Sequence, residues 1–363
     1  MAERLERKNM NLHNSSLWNN DIDELINTFP IISKLEDNTL LITGSTGLIC
    51  SAVIEVLIRY NLSHDKKIRI IAGARKPGKL EKRVQPFIHE DWFNTFFYNS
   101  ISSDNNLPSS CDYIIHGAGN SDPASIIKEP VETMLSNFTG LYNLLDYSRQ
   151  TDTKRLLYIS SSEIYGNSDL NRPKHEDDYG YIDLLNPRNS YSSSKRASET
   201  LCSSFYEEYK TDSVIARPCH VYGPTAQKTD SRVASIWPYL AASKSDIIMK
   251  SNGSQVRSFC YCLDCASALL IVLLNGKSGE AYNISNPASI MSIKEMAELL
   301  SRLSSSELIL ELPSQKEKEA FNPMNNSIMD CSKLIELGWN PLFDAERGFA
   351  HTIEIIKETA LTI

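Results

Sequence analysis

Tyr191 and Lys195 stand four residues apart where a predicted helix opens. Residues at i and i+4 share one helix face, so we expect the lysine ammonium to lie beside the phenol. A free phenol titrates near pH ~10, and using it as a base near neutrality means lowering that pKa by about 3 units, roughly 4 kcal/mol. A cation at this spacing is placed to lower the pKa of the phenol.

Further reactive side chains precede this pair. An apolar run over residues 156–159 continues into Ser160, Ser161, Ser162 and Glu163. The run predicts a buried strand, which would deliver three hydroxyl groups and one carboxylate to its carboxyl end. Ser161, Ser162 and Glu163 are thus candidate catalytic residues alongside Tyr191 and Lys195.

A glycine turn follows the first apolar run of the chain. Gly44 and Gly47 stand between residues 40–42 and a helix predicted to begin near Ser51. Such glycines let the backbone turn sharply and approach a pyrophosphate, which then binds the free N–H groups of the helix start. The predicted phosphate-binding residues are Gly44, Ser45, Thr46, Gly47, Leu48 and Ile49.

The end of the second apolar run, residues 68–72, lacks the acidic residue that normally holds the ribose of NAD. Arg75 and Lys76 follow instead, and a guanidinium favours the additional 2′-phosphate of NADP. We therefore expect NADP(H) to be preferred over NAD, with Arg75 and Lys76 on that phosphate. A solvated basic turn remains the alternative.

Short apolar runs alternate with amphipathic helical stretches through the first half of the chain. The runs cover residues 40–42, 68–72, 113–115, 156–159 and 214–216, and the helical stretches cover residues 51–60, 131–147 and 192–210. This alternation predicts an α/β, doubly wound parallel sheet of Rossmann type. We expect a helical arm over residues 1–38, a dinucleotide-binding domain over 39–217 and a smaller substrate-binding lobe over 218–363, with some segments returning to the sheet.

The N-terminal arm contains one amphipathic stretch, residues 16–29, closed by Pro30. Its pattern fits a helix packed on the main body or a subunit-contact arm equally well.

Composition excludes some classes of partner. The 363 residues contain 37 Lys and Arg against 45 Asp and Glu, a net charge of −8. Nucleic acids and anionic membranes need clustered cations, so we expect neither as a partner.

No long apolar run or signal peptide is seen, which favours the cytoplasm. The eight cysteines fit reduced, buried residues, and Cys260, Cys262 and Cys265 lack the spacing of a zinc site, so no metal is expected.

Together these segments resemble the extended short-chain dehydrogenase/reductase family that acts on nucleotide sugars. The resemblance covers about residues 39–345 and includes the glycine turn, residues 112–119, residues 137–145 and the Tyr191–Lys195 pair. Cys50 stands where the family usually has Gly or Ala. The resemblance implies that Ala118, Asn137, Pro218, Tyr191 and Lys195 also contact an NAD(P) cofactor, whereas we interpret His116 as a core residue.

The resemblance also implies a chemical role for each catalytic residue. Tyr191 would take the proton of a sugar hydroxyl while hydride leaves for the cofactor, and Ser161 would bond the same oxygen. Family dehydratases have Asp then Glu after this residue, but this chain has Ser162 then Glu163, which disfavours a 4,6-dehydratase. The closest motif is that of the nucleotide-uronate decarboxylases, and C4 epimerases remain compatible.

The same resemblance implies that three residues of the predicted lobe contact a nucleotide-diphosphate sugar, namely His220, Arg232 and Arg257. The family usually has Asn at position 220. Arg257 matches a family arginine that binds the diphosphate. A homodimer through residues 131–147 and 192–210 is also implied.

Two further hypotheses stay open: an NADPH-dependent reductase of a nucleotide-activated keto sugar, favoured by Arg75, and a cofactor-binding scaffold without turnover.

Overall fold

Isoleucine, leucine and valine form the strands at the centre of the molecule. The structure is a computed structural model that describes residues 11–102, 105–170, 172–313 and 326–359. Its strands are β1 Thr39–Thr43, β2 Arg69–Ala74, β3 Phe93–Phe97, β4 Tyr113–His116, β5 Arg155–Ile159, β6 Ser213–Pro218, β7 His220–Tyr222, β8 Ile247–Met249, β9 Val256–Tyr261, β10 Ala281–Ile284, β11 Ile290–Ser292, β12 Leu308–Leu310 and β13 Asn326–Ser327.

The α-helices pack on both faces of these strands and in the second half of the chain. They are α1 Ser16–Thr28, α2 Leu48–Ser63, α3 Pro77–Arg83, α4 Pro123–Lys128, α5 Pro130–Gln150, α6 Ser190–Tyr209, α7 Val233–Ala242, α8 Cys262–Asn275, α9 Ile293–Ser304, α10 Ser332–Ile335 and α11 Ala345–Glu358. Within the described ranges, no helix is both long and apolar enough to span a membrane.

A parallel sheet of seven of the described strands forms the main layer, in the order β10-β6-β5-β4-β1-β2-β3. Leu40, Leu41 and Ile42 of β1 are fully buried, as a sheet covered on both faces requires. Because the strand order reverses at β1 and β4, a crevice opens between their carboxyl ends. The predicted Rossmann-type fold is confirmed.

Two details, in helix α2 and strand β3, differ from the sequence-based expectation. Helix α2 begins at Leu48 rather than near Ser51, so Cys50 lies in its first turn. Strand β3 has only one fully buried residue, Phe93, and its polar Asn94 and Thr95 interrupt the apolar pattern. Strand β10 comes from the second half of the chain and pairs with β6 at the sheet edge.

The second half of the chain forms smaller sheets beside the crevice. Strand β9 pairs with β7, β11 and β13, and β8 pairs with β12. Helices α7, α9 and α11 pack together on this side.

The N-terminal helix α1 packs against the main body, on α2, α8 and α11. Trp18, Ile22 and Leu25 are completely buried there. This packing is the first of the two roles predicted for the arm; its residues 1–10 lie outside the described part of the chain.

Candidate active site

The glycine turn brings the ends of β1 and β4 into close approach. Gly44 has a φ of +74°, and a Cβ added there would lie 2.6 Å from the carbonyl carbon of Gly117, directly after β4. Gly47 is the N-cap of the sixteen-residue helix α2 and carries no side chain to cover its first N–H groups. A phosphate could therefore reach these N–H groups at the positive end of the helix dipole.

Cys50 packs across this turn onto β4. A Cβ at Gly117 would lie 2.4 Å from the Cys50 sulfur, so the glycine at 117 makes room for the thiol. The larger third residue of the motif is thus accommodated by the missing side chain of Gly117, directly after β4.

A cavity of about 810 Å³ occupies the crevice, within the range of about 300–1,000 Å³ common for ligand pockets. Most of the predicted cofactor residues line this cavity. They are Gly44, Thr46, Gly47, Leu48, Ile49, Arg75, Lys76, Ala118, Asn137, Tyr191, Lys195 and Pro218. Ser45 does not line it, because its hydroxyl donates to the Ile42 carbonyl (2.8 Å). Asn137 lines this cavity, and its buried Oδ1 has no hydrogen-bond partner in the described part of the protein. The glycine cradle, the free helix start and this acceptor fit a dinucleotide.

Cations surround the end of the cavity beyond β2. Arg75 and Lys76 are exposed there, directly after the strand ends at Ala74. Lys79 of α3 joins them and donates to Gln227 (2.6 Å), which in turn donates to the Thr46 carbonyl (2.7 Å). Sequence reasoning missed Lys79 and Gln227, which come together only through a contact between residues 148 positions apart.

Tyr191, Lys195 and Ser161 converge at the opposite end of the cavity. Tyr191 lies in the first turn of α6, and its hydroxyl is in hydrogen-bonding contact with Ser161. The Lys195 ammonium donates to the Ile159 carbonyl (2.7 Å) and lies 5.6 Å from the Tyr191 ring centroid and 4.6 Å from that of Tyr158. The predicted i, i+4 neighbours therefore share one face of α6, beside the end of β5.

Burial sets the charge state of this pair. Desolvation lowers the pKa of Lys195 to about 7, against a smaller opposing effect of Glu199. Desolvation also raises the pKa of Tyr191 to about 12, although the Ser161 hydroxyl acts in the opposite direction. The side chains alone thus keep Tyr191 a neutral phenol at neutral pH, which differs from the lowered pKa expected from Lys195.

Glu163 forms an ion pair outside this cavity lining. Its two oxygens accept from the two terminal nitrogens of Arg188, each at 3.3 Å. Ser162 beside it is buried. Arg188 precedes Tyr191 by three residues in a short 3-10 helix, Pro187–Asn189, and nothing in the sequence distinguishes it from a solvated cation.

The three predicted substrate residues lie near one another. Arg232 lines the cavity and is paired with Asp230, its Nε 2.9 Å from Oδ1. Arg257 is buried, and desolvation lowers its pKa to about 10, opposed by the charge of Glu163. His220 faces both arginines, and burial followed by their charges lowers its pKa to about 3. His220 and Arg257 do not line the cavity that holds Tyr191.

His116 is a buried core residue, as interpreted from the sequence. Its Nδ1 lies 2.7 Å from the Thr43 hydroxyl, and desolvation lowers its pKa to about 3.

Comparison with known proteins adds a family match. The model of the NAD dependent epimerase/dehydratase family matches residues 40–285. UDP-glucuronic acid decarboxylase 1 of Xenopus tropicalis is 25% identical over 329 residues, which cover 90% of this chain and 74% of that protein. Human dTDP-D-glucose 4,6-dehydratase is 27% identical over 337 residues, covering 88% and 90% respectively.

A solved structure shares the fold. The UDP-glucuronic acid 4-epimerase of Bacillus cereus, in complex with UDP-glucuronic acid and NAD, superposes with a TM-score of 0.73 at 20% identity and covers 88% of this chain and 99% of its own.

Proposed function

The chain belongs to the NAD dependent epimerase/dehydratase family, and we propose that it oxidises C4 of a nucleotide-linked sugar and then returns the hydride. The predicted family and its NAD(P)-dependent enzyme class are confirmed. Between the two redox operations we propose decarboxylation of a nucleotide uronate or epimerisation at C4. The substrate is thus a nucleotide-diphosphate sugar.

The observation that carries this proposal is the convergence of Ser161, Tyr191 and Lys195 on one cavity at the carboxyl ends of the sheet. Tyr191 would take the proton of the C4 hydroxyl onto its phenolic oxygen, while Ser161 orients that hydroxyl by a hydrogen bond. Lys195 would stabilise the resulting phenolate by its charge. NAD(P)⁺, when bound, supplies the hydride acceptor and a positive charge beside the phenol.

The residues after Ser161 favour decarboxylation or epimerisation over dehydration. Ser162 replaces the acid that loss of a hydroxyl group would require, and a serine cannot donate a proton at comparable cost. Both oxygens of Glu163 are engaged by Arg188. Decarboxylation beside a 4-keto group needs no such acid.

Incubation with UDP-glucuronate, UDP-glucose or dTDP-glucose, each with NAD⁺ or NADP⁺, tests the proposal by mass spectrometry for loss of CO₂ and by NMR for a C4 epimer, which has the same mass as its substrate. We expect loss of CO₂ from the uronate or a C4 epimer, without net change of cofactor. Tyr191→Phe should abolish either product. Release of water from dTDP-glucose as the sole reaction would contradict the proposal.

The cations at the end of the cavity beyond β2 favour a second candidate function. Arg75, Lys76 and Lys79 gather where an acidic residue would hold NAD, so we propose that NADP(H) is the preferred cofactor. An NADPH-dependent reductase of a nucleotide-activated keto sugar would use the same site. Stoichiometric consumption of NADPH with such a sugar would establish the reductase and exclude the redox-neutral reaction.

We propose a homodimer through α5 and α6. Five apolar side chains of α5 are 41–62% exposed on one stripe, and Tyr206 and Tyr209 of α6 are exposed beside them. The α5 residues are Val131, Met134, Leu135, Phe138 and Tyr142. An apolar patch of this kind on two packed helices supports a second copy of the chain as its partner.

The remaining assignments are proposals as well. Residues 39–217 would form the cofactor domain, residues 218–363 the substrate lobe with β10 returned to the sheet, and residues 1–38 an N-terminal helical arm. All eight cysteines are free and buried, which supports a reducing compartment, the cytoplasm.

A further inference from the structure

A buried ion pair lies directly behind Lys195. Glu199, one turn further along α6, accepts from Arg217 of β6 through both oxygens, with Nε–Oε1 at 3.0 Å and Nη2–Oε2 at 2.7 Å. The Arg217 side chain is 2% exposed and that of Glu199 11%. The Ser160 hydroxyl donates to Oε1 of Glu199, the oxygen that also accepts from Arg217 Nε, at 2.5 Å.

Each group bonded to Glu199 adjoins a residue of the candidate active site. Ser160 lies between Ile159, whose carbonyl accepts from Lys195, and Ser161, which contacts Tyr191. Glu199 thus adds a third tie between α6 and the end of β5, beside those that Lys195 and Tyr191 make there.

Arg217 extends the same network to two further segments. It immediately precedes Pro218, which lines the cavity. Its Nη1 donates to the Tyr165 hydroxyl (3.0 Å) and to the Glu176 carbonyl (2.6 Å). Tyr165 ends the short 3-10 helix that carries Ser162 and Glu163.

We propose that Glu199 is a positioning residue: by holding Ser160 and Arg217, it fixes β5 against α6 so that Lys195 meets the Ile159 carbonyl and Ser161 faces Tyr191. This inference rests on the proposed function in taking Ser161, Tyr191 and Lys195 as the reacting set. Glu199 does not line the cavity and would act only through these residues.

The charge of Glu199 contributes as well as its position. The titratable groups that face Lys195 come from four elements: Cys50 of α2, His116 of β4, Tyr158 of β5, and Tyr191 and Glu199 of α6. Glu199 is the carboxylate in this set, so it favours the charged ammonium, whereas burial opposes it. Loss of its charge would therefore disfavour protonated Lys195.

Glu199→Gln removes the charge and keeps the size of the side chain. NADPH affinity, followed by fluorescence, and turnover should both be measured from about pH 5 to about pH 9, a range that brackets the Lys195 midpoint in the wild type and its lowered value in the variant. The midpoint belonging to Lys195, about 7 in the wild type, should fall by about one pH unit, and turnover at neutral pH should fall about tenfold or more. Glu199→Asp, which keeps the charge but shortens the reach to Ser160, should restore the midpoint and leave turnover reduced.

A matched control joins the same elements at the other end of β5. Asp212, between α6 and β6, accepts from Arg155 of β5 in the same two-bond geometry, at 2.8 and 2.9 Å. Asp212→Asn should lower stability without moving the midpoint. If Glu199→Gln behaves as Asp212→Asn does, Glu199 is a purely structural residue and the proposal is wrong.

The cofactor titration separates this proposal from the proposed function. If the wild type binds NADPH with the expected midpoint but converts no nucleotide sugar, the function is wrong while the midpoint shift still tests Glu199. If Glu199→Gln does not fold, the comparison of Glu199→Asp with the wild type decides, and unchanged turnover in that variant overturns the inference.

Discussion

Burial of the Lys195 ammonium destabilises the folded chain. Its pKa falls from 10.5 in a free side chain to about 7, chiefly through desolvation. Between these two values the unfolded chain binds more protons than the folded chain, so stability rises with pH across that window. The cost of burying the ammonium is therefore greatest near neutral pH and below.

Lys195→Met should stabilise the protein while abolishing turnover. We expect the free energy of unfolding at pH 7 to rise by about 2–4 kcal/mol, because the variant removes a desolvated cation. The gain, measured by urea unfolding, should shrink as pH approaches about 10. Lys294→Met, at a lysine 58% exposed on α9, is the control and should show no such gain; a variant at 195 less stable than the wild type would contradict the argument.

Arg75→Ala should weaken NADP(H) binding selectively. A charge-assisted hydrogen bond to the 2′-phosphate is worth about 1.5–3 kcal/mol, so the Kd for NADP(H) should rise roughly 10- to 100-fold. The Kd for NAD(H), measured by fluorescence titration, should stay within about twofold. Lys66→Ala removes an exposed cation away from the cavity and should change neither value. Equal NADP affinity in wild type and Arg75→Ala would leave Arg75 a solvated cation.

The sequence could predict those site residues whose spacing lies within one turn or one helix face. Gly44 and Gly47, or Tyr191 and Lys195, are neighbours in the chain before they are neighbours in space. Arg188 beside Glu163 and Gln227 beside Lys79 meet only after folding, so no local pattern distinguishes them. The raised pKa of Tyr191 likewise follows from burial, which spacing does not reveal.

Among the elements, α5 and α6 present the exposed apolar face that we propose as the dimer interface. Leu135→Glu places a carboxylate on that face, where Leu135 is 44% exposed. We expect the dimer to dissociate at concentrations about 100-fold higher than for the wild type, because a buried unpaired charge costs a few kcal/mol. Sedimentation velocity measures this. Leu62→Glu, at a leucine 50% exposed at the end of α2, should leave the oligomeric state unchanged, and a wild type that is monomeric throughout would refute the interface.

Elements with continuous aliphatic runs could be predicted, whereas those defined by long-range pairing could not. The five predicted runs all coincide with strands of the main sheet, apart from Ile68, which immediately precedes β2. Strand β3 has one polar residue on each face between its phenylalanines, and β10 reaches β6 only after the chain has formed α7 and α8. Neither the sheet edge nor the return of the chain follows from local periodicity.

At the scale of the whole molecule, the charge of −8 coexists with cations gathered around one cavity. Five cations and four carboxylates line it, namely Arg75, Lys76, Lys79, Lys195 and Arg232 with Asp122, Glu129, Glu132 and Asp230. Arg232 is paired with Asp230, whereas Arg75, Lys76 and Lys79 lie together at the end beyond β2 and supply the local positive charge there. A small dianionic ligand needs only such a local field, whereas an extended polyanion would also meet the acidic surface. The same net charge therefore disfavours nucleic acid and allows a nucleotide cofactor.

The N-terminal helix ties both halves of the chain together. Asp23 pairs with Arg59 of α2 through two bonds at 2.7 and 2.5 Å. Asp21 contacts His351 of α11 at 3.0 Å. One short helix thus braces the helix that follows the glycine turn and a helix of the second half, so we expect the two halves to unfold in one transition.

Trp18→Ala should lower the stability of the whole molecule. Trp18 is completely buried, and its indole N–H donates to the buried Glu55 of α2 at 3.5 Å. Loss of a buried tryptophan costs about 3–5 kcal/mol, and Glu55 also loses a donor. Urea unfolding monitored by near-UV and far-UV circular dichroism should give coincident curves with a lower midpoint, whereas Asn20→Ala, at an exposed position of the same helix, should match the wild type. Two separate transitions would mean that the halves fold independently and that α1 braces only one of them.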